Sequence, residues 1–436
     1  MDICALQQNI YQGKIECGRT SRCRTRLLRW KGHMSTTPSA SSNVYAATEL
    51  PELGFRNYWY PVLAAWRLRQ RPKAVKLLGE EVVLYRDGGK IYALKDQCAH
   101  RGARLSRGKC LYPGSGTLSC PYHGWTYSGE TGQVVAKLME GPDAILPAEA
   151  RVTTYPVQEH NGVLWVFVGD MNAAPLEEDL PECLAKPDEW HTIGTWRTYR
   201  CNWRVLNDNL CYDLHAPFVH RNSPELFFQP VFPFASHVTT TKLENANGLG
   251  YVAKDGVTEA SYPGLGLFPP PRETFFRRLR PMGRGQEMDR EKAQAVKRYG
   301  IKYRHMSCLP AVTLVGRPTG EYFMVRWVTP IDAETTLFYS INAFRRRGWL
   351  ATQLDRIGWA FWMSWSHDWI FSDQDKNIVE GVRSNAEQLS PTDLGVAAWR
   401  KFAVENARRS PTEAPTEDDR PAPVCADDAG IGSAAE

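Results

Sequence analysis

The strongest constraint on this chain is a pair of short ligand-bearing segments, Cys98-Ala-His100 and Cys120-Pro-Tyr-His123, with nineteen residues between them. Each can clamp a metal from one tight loop. Thiolates are soft ligands suited to iron–sulfur clusters. Two imidazoles can replace two thiolates on one iron of a [2Fe–2S] centre, which raises its potential. Two cysteines and two histidines are also a zinc set, so the ligand types alone leave two metals open.

The flanks choose between them. Cys98-Ala-His100-Arg-Gly102 and Cys120-Pro-Tyr-His123-Gly124-Trp-Thr-Tyr127 resemble the two cluster-binding loops of Rieske domains, whose glycines let backbone amides approach the sulfides. The reading is therefore a Rieske [2Fe–2S] cluster held by Cys98, His100, Cys120 and His123. Around these residues, from Phe55 to Asp170, short β-rich runs are broken by Gly, Pro and Asp. Ala74–Leu78, Glu81–Tyr85, Ile91–Leu94 and Val163–Val168 are the clearest, and Arg86-Asp-Gly-Gly89 is a hairpin turn signal. An all-β module presenting ligands on two turns is expected.

At 436 residues the chain is long for one domain. The expected division is a cluster domain over 51–172, a second domain over 173–410, and disordered ends over 1–50 and 411–436. Residues 1–45 set Arg19, Arg22, Arg24, Arg26, Arg29 and Lys31 against Asp2 and Glu16. That composition fits an extension ahead of a start at Met34, with organellar targeting as the alternative. The tail from Ser410 is rich in Pro, Ala and acids, too polar to bury a core. Net charge is only +5, which argues against a dedicated nucleic-acid surface, and no apolar run approaches a membrane span. Beyond Cys98 and Cys120, the other nine of the eleven cysteines show no second pattern. Cys110 reads as a small packing residue, and a reducing, cytoplasmic compartment is expected.

A cluster of this kind moves one electron at a time, so the remaining chain should hold a destination for electrons. Asn207-Asp-Asn-Leu-Cys-Tyr-Asp213-Leu-His215-Ala-Pro-Phe-Val-His220 offers one. Two neutral imidazoles and one carboxylate, with one face left open, form the facial triad of non-haem iron(II) oxygenases. Residues five apart on a regular helix point about 140° apart, so His215 and His220 need a local distortion, and Pro217 can supply it. The carboxylate must come from elsewhere. Leu354, Ile357, Phe361, Asp368, Asp375 and Val379 share one face of a helical stretch. There a buried, unpaired Asp375 would be costly, and a metal would remove that cost. Asp368 is the runner-up. With strands expected at Leu249–Val252, Ala311–Val315, Tyr322–Val328 and Thr335–Ile341, and a terminal helix over Val396–Arg409, the class is α+β: an antiparallel sheet with helices packed on it.

Taken together, residues 53–410 resemble the catalytic α subunits of Rieske non-haem iron oxygenases. The resembling segments are Leu53–Val62, Lys76-Leu-Leu-Gly-Glu80, Thr154-Tyr-Pro-Val-Gln-Glu159 and Val396-Ala-Ala-Trp-Arg-Lys401. The resemblance implies a Rieske domain followed by a helix-grip catalytic domain, with iron held by His215, His220 and Asp375. It also implies a ring-like homotrimer in which one subunit's cluster serves its neighbour's iron. In that family an Asp three residues before the first iron histidine bridges the two metals. Here that position is Tyr212, so Asp213, Asp208 and Tyr212 are all candidates.

The implied activity is hydroxylation of an aromatic or heteroaromatic substrate with dioxygen and NAD(P)H-derived electrons. A monooxygenase or O-/N-demethylase is the alternative, and a Rieske electron-transfer protein the alternative of another class. No dinucleotide-binding fingerprint is visible, so the reductase, with or without a ferredoxin, is expected as a separate chain. Arg101, Arg104, Arg107 and Lys109 beside the cluster suit an acidic ferredoxin.

Overall fold

The computed structural model describes residues 49–211, 214–220, 223–224, 237–243, 247–254, 261–262, 266–267, 305–316, 321–383 and 387–409. The first half is built from three antiparallel sheets. Strands β1 (Tyr58–Ala64), β9 (Val163–Val168) and β8 (Val157–His160) form one, and β2 (Lys73–Leu77), β3 (Glu80–Asp87) and β4 (Lys90–Lys95) form the second. The third contains β5 (Thr117–Ser119), β6 (Trp125–Ser128) and β7 (Val134–Lys137). The β3–β4 turn falls on Gly88 and Gly89, whose φ values of 55° and 82° suit the turn that matches strand twist. β9 is buried along its whole length, as its unbroken run Val-Leu-Trp-Val-Phe-Val requires.

The second half is organised on a seven-stranded antiparallel sheet. Its order is β10 (Trp190–Tyr199), β18 (Thr336–Arg345), β17 (Tyr322–Pro330), β16 (Val312–Gly316), β15 (His305–Cys308), β12 (Gly248–Lys254) and β11 (His237–Lys242). A two-residue pair, β13 (Ser261–Tyr262) with β14 (Gly266–Leu267), stands apart. Alternation along β17 and β18 gives the sheet two different faces. Val325, Trp327, Tyr339, Ile341 and Ala343 point one way, into an apolar cluster with Trp59, Trp165 and Phe167 of the first half. Trp165 and Trp327 meet edge to face at 4.8 Å. Arg326, Ser340 and Asn342 point the other way and are buried although polar.

A second apolar cluster joins Tyr58, Tyr60 and Val82 to Trp203, Tyr251, Trp399 and Phe402, so the two halves share cores. Leu50, assigned to the extension from sequence, belongs to this cluster as well. Its side chain is buried, so packing reaches into the stretch that composition left outside the cluster domain. The Pro-rich connector forms two short helices, Leu176–Asp179 and Glu182–Ala185. Asp179 accepts the Trp59 N–H at 2.9 Å and pairs with Arg408 at 2.8 Å, tying connector, first strand and C-terminal end together.

Candidate functional site

The two Cys-His loops follow β4 and β5 and have one shape. The Cys98 N–H donates to the Ala103 carbonyl and the Cys120 N–H to the Trp125 carbonyl, each at 2.8 Å. The Gly102 and Gly124 amides return to the Cys98 and Cys120 carbonyls at 2.9 and 3.2 Å. Both glycines have φ near +70°, 73° and 68°, where a side chain is strained. The loops bring the Nδ1 atoms of His100 and His123 to 3.1 Å and set the Cys98 and Cys120 thiols side by side. Two sulfurs on one side and two imidazole nitrogens on the other are the donor set a Rieske cluster needs.

The sulfurs are buried and the imidazoles reach the surface. His100 stacks on Trp125 at 4.7 Å, and His123 on the exposed Tyr122 at 3.8 Å. Tyr127 was not singled out from sequence. Its buried hydroxyl accepts the Ala99 N–H and lies 3.0 Å from Cys98 Sγ, to which it can donate. Asp96, also buried, accepts the Ser106 N–H and hydroxyl and anchors the end of the first loop. Of the basic residues beside the loops, Arg104 pairs with Glu81 and Arg101 lies over the Tyr122 ring at 5.6 Å. The seven described cysteines form no disulfide. Burial pushes Cys183, Cys201 and Cys308 up to about 12, so these thiols stay protonated and serve as packing groups.

His215, His220 and Asp375 meet in the second half. His215 Nε2 and His220 Nε2 are 3.1 Å apart, and Asp375 Oδ1 lies 3.2 and 3.0 Å from them. Bonds of about 2.1 Å at right angles separate neighbouring ligand atoms by about 3.0 Å, so this triangle has the edge of one octahedral face. Burial pushes the Asp375 carboxyl up, but hydrogen bonding and charge from His215 and His220 outweigh it and hold the group well below the usual carboxylate range. Two imidazoles and an ionised carboxylate fit iron(II).

The histidines converge by a different device from the bend expected at Pro217. His215 and His220 are the N- and C-caps of a one-turn helix, Ala216–Val219, with Pro217 inside its first turn. His215 keeps helical backbone angles, whereas His220 leaves them with φ −100° and ψ 9°, so the 100° spacing does not carry through to the second ligand. The carboxylate comes from a long helical stretch: α-helical over Trp349–Gly358, π-helical over Trp359–Phe371, α-helical over Ser372–Val379.

The π stretch corrects the sequence reading. Leu354, Ile357 and Phe361 are exposed, whereas Asp368, Asp375 and Val379 are buried. The wider turn of a π-helix shifts the buried face partway along, and a single α-helical period cannot describe it. Asp368 is thereby aimed at the polar face of the sheet. It accepts from Ser340 Oγ (2.7 Å), Asn342 Nδ2 (3.3 Å) and Trp359 Nε1 (3.0 Å), and stands 3.6 Å from Arg326. It has a full set of partners away from the histidines.

Among the three bridge candidates, Tyr212 and Asp213 lie outside the described residues. Asp208 is on the helix Trp203–Leu210, and its carboxylate takes Arg400 at 2.7 Å from the C-terminal helix Leu394–Asn406. Several aromatic side chains of these elements divide between core and surface. Trp203 and Trp327 are core residues, and Phe218, Phe361 and Trp365 are exposed. Phe227 and Phe228 lie outside the described residues. Gln374, which sequence gave no reason to notice, stands with its Oε1 3.0 Å from His220 Nδ1.

Comparison with known proteins matches the Rieske [2Fe-2S] domain to residues 58–156 and the ring hydroxylating alpha subunit (catalytic domain) to 187–417. The terminal oxygenase component of carbazole 1,9a-dioxygenase from Sphingomonas sp. is 41% identical over 175 residues, 39% of this chain and 45% of that protein. The oxygenase component of dicamba O-demethylase from Stenotrophomonas maltophilia is 34% identical over 168 residues, 38% and 48% respectively. These matched segments span about half the length of the curated relatives. The terminal oxygenase of carbazole 1,9a-dioxygenase from Nocardioides aromaticivorans IC177 superposes with a TM-score of 0.67 at 26% identity, covering 83% of this chain and 97% of that one. With the catalytic-domain model alone matching more than half of its residues, the chain belongs to the ring-hydroxylating oxygenase α subunits, with a Rieske domain ahead of the catalytic domain.

Proposed function

We propose that this protein is a terminal oxygenase that hydroxylates an aromatic or heteroaromatic compound as a dioxygenase. Cys98, His100, Cys120 and His123 hold the cluster, and His215, His220 and Asp375 hold iron(II). The observation that carries this reading is the buried triangle of two imidazoles and one ionised carboxylate, downstream of two matched Cys-His loops in the same chain. When bound, the cluster supplies single electrons and the iron the activation of dioxygen. The chain's own residues do the rest. Cys98 and Cys120 would hold the cluster from buried sulfurs, and His100 and His123 would hold it from the surface side. Asp375 stays ionised without a proton to lose, and Phe371, stacked on His220 at 3.5 Å, fixes that ring. Electrons come from a separate reductase, with or without a ferredoxin, docking near Arg101, Arg104 and Tyr122.

We take Asp213 as the bridge between the metals, with Tyr212 as the alternative, and set Asp208 behind them because Arg400 holds its carboxylate. Asp213→Asn is expected to leave both metals bound and slow single-turnover electron transfer; unchanged kinetics would remove it from that role. The activity is tested by product mass under labelled dioxygen, with a surrogate reductase and ferredoxin, across fused aromatic and N-heteroaromatic compounds. Two labelled atoms in one product support dioxygenation. One atom, or a methyl group lost as formaldehyde, moves the protein to the monooxygenase or demethylase branch, which the likeness to a dicamba O-demethylase keeps in play. Two irons per chain instead of three would reduce it to an electron carrier.

A further inference from the structure

The helix that carries Asp375 encloses His220 on three sides. Phe371 stacks on the ring face at 3.5 Å and 14°, Gln374 meets Nδ1 at 3.0 Å, and Asp375 meets Nε2 at 3.0 Å. Positions 371, 374 and 375 are spaced i, i+3 and i+4, so one helix face delivers all three. His220 itself is fully buried. Behind Phe371, at 5.3 Å and 11°, lies His367, whose Nδ1 faces the Arg326 guanidinium at 2.8 Å. Since a guanidinium only donates, Nδ1 is the acceptor in that contact.

We propose that Gln374 is the positioning residue of the iron site: its side-chain carbonyl accepts the Nδ1–H of His220 and fixes the tautomer in which Nε2 offers a lone pair toward His215 and Asp375. This rests on the reading of those three residues as the iron ligands. A side-chain amide can present either end. Its NH₂ end would donate into Nδ1 and force the imidazole proton onto Nε2, against Asp375 Oδ1, where no metal could then bind. Only the carbonyl end is compatible with a ligand role.

The chemical type of the partner matters too. Ligating histidines commonly donate their second N–H to a carboxylate or a backbone carbonyl, and a carboxylate makes the imidazole a stronger donor. Gln374 is a neutral acceptor. It orients the ring without adding negative charge, so His220 remains a moderate donor and the iron is held less strongly in its ferric state. With Asp375 already the one carboxylate in contact with both histidines, a second beside His220 would shift the site toward iron(III).

Full-length holoenzyme carrying Gln374→Leu and Gln374→Glu tests this, alongside a His215→Ala control. The readouts are mononuclear iron retained under chelator challenge, the EPR signal of the ferrous nitric-oxide adduct, and the iron reduction potential. The cluster EPR signal reports on folding. Gln374→Leu is expected to lower iron affinity 10–100-fold and broaden the nitrosyl signal. Gln374→Glu is expected to restore affinity and move the iron potential to a lower value. Wild-type affinity and an unchanged nitrosyl signal in Gln374→Leu would overturn the inference, as would an unshifted potential in Gln374→Glu. Iron retained fully in His215→Ala would instead bring down the ligand assignment on which it stands.

Discussion

Asp375 and Asp368 lie on the same long helical stretch, both buried, and they answer to different partners. Asp375 faces two imidazoles, while Asp368 takes three neutral donors and the nearby Arg326. Their substitutions should therefore separate. Asp375→Ala is expected to lose the mononuclear iron and turnover while the cluster keeps its EPR signal; surviving turnover would remove Asp375 from the ligand set. Asp368→Ala leaves Arg326 buried without its countercharge, which should cost about 3 kcal/mol of stability in denaturant unfolding while iron content is retained. At the cluster, Tyr127 is the residue with a readable effect. A hydrogen bond to a cluster thiolate favours the reduced state, and one worth about 1 kcal/mol corresponds to roughly 40 mV for one electron. Tyr127→Phe should lower the cluster potential by about that much in a redox titration. An unchanged potential would mean the hydroxyl does not donate to Cys98.

At the level of elements, function depends on small departures from regular repeats. The two cluster loops reverse direction through left-handed glycines, and Gly124 also leaves no room, because an added Cβ would lie 2.8 Å from Leu138 Cβ. Gly124→Ala should cost about 1–2 kcal/mol in backbone strain and reduce cluster occupancy, measured by absorbance per chain. Gly141→Ala is the control: its φ is +86° with nothing within 4 Å, so it should carry the same backbone strain and keep the cluster. The one-turn helix between His215 and His220 works by ending before the second ligand. The π-helical stretch lets one helix present Asp368 to the sheet and Asp375 to the histidines.

On the scale of the whole molecule, large apolar side chains are exposed in both halves of the chain. In the cluster domain they include Tyr122, Met139 and Ile145, and on the long helix Trp349, Leu354, Phe361 and Trp365. Large exposed apolar side chains are suited to burial between subunits, and the ring-like trimer that the family resemblance implies would give each chain two different contacts in which to bury them. Light scattering should give about three times the 49.4 kDa chain mass. Ile145→Glu or Phe361→Glu should each dissociate the ring; a monomeric wild type would exclude it. Among the described residues no helix is long and apolar enough to cross a membrane.

The sequence by itself determined the metal chemistry. Cys, His and Gly at fixed short spacings are local facts: Cys98 to Gly102 and Cys120 to Gly124 close their own loops whatever the rest does. The strands with strong β-branched and aromatic runs were readable for the same reason, and so was the α+β class. β10 was missed because its apolar residues are diluted by threonines and become strand-like only beside β18. The sequence put Asp375 ahead of Asp368, and tertiary structure sets Asp375 against the histidines and Asp368 against the sheet. Tertiary structure alone showed that Leu354, Ile357 and Phe361 leave that face, because an α-helical period does not extend through a π stretch. It alone revealed Gln374 against His220 and Tyr127 against Cys98. Both are contacts between distant segments, and a polar side chain's partner is set by the packing around it, which no spacing along the chain records.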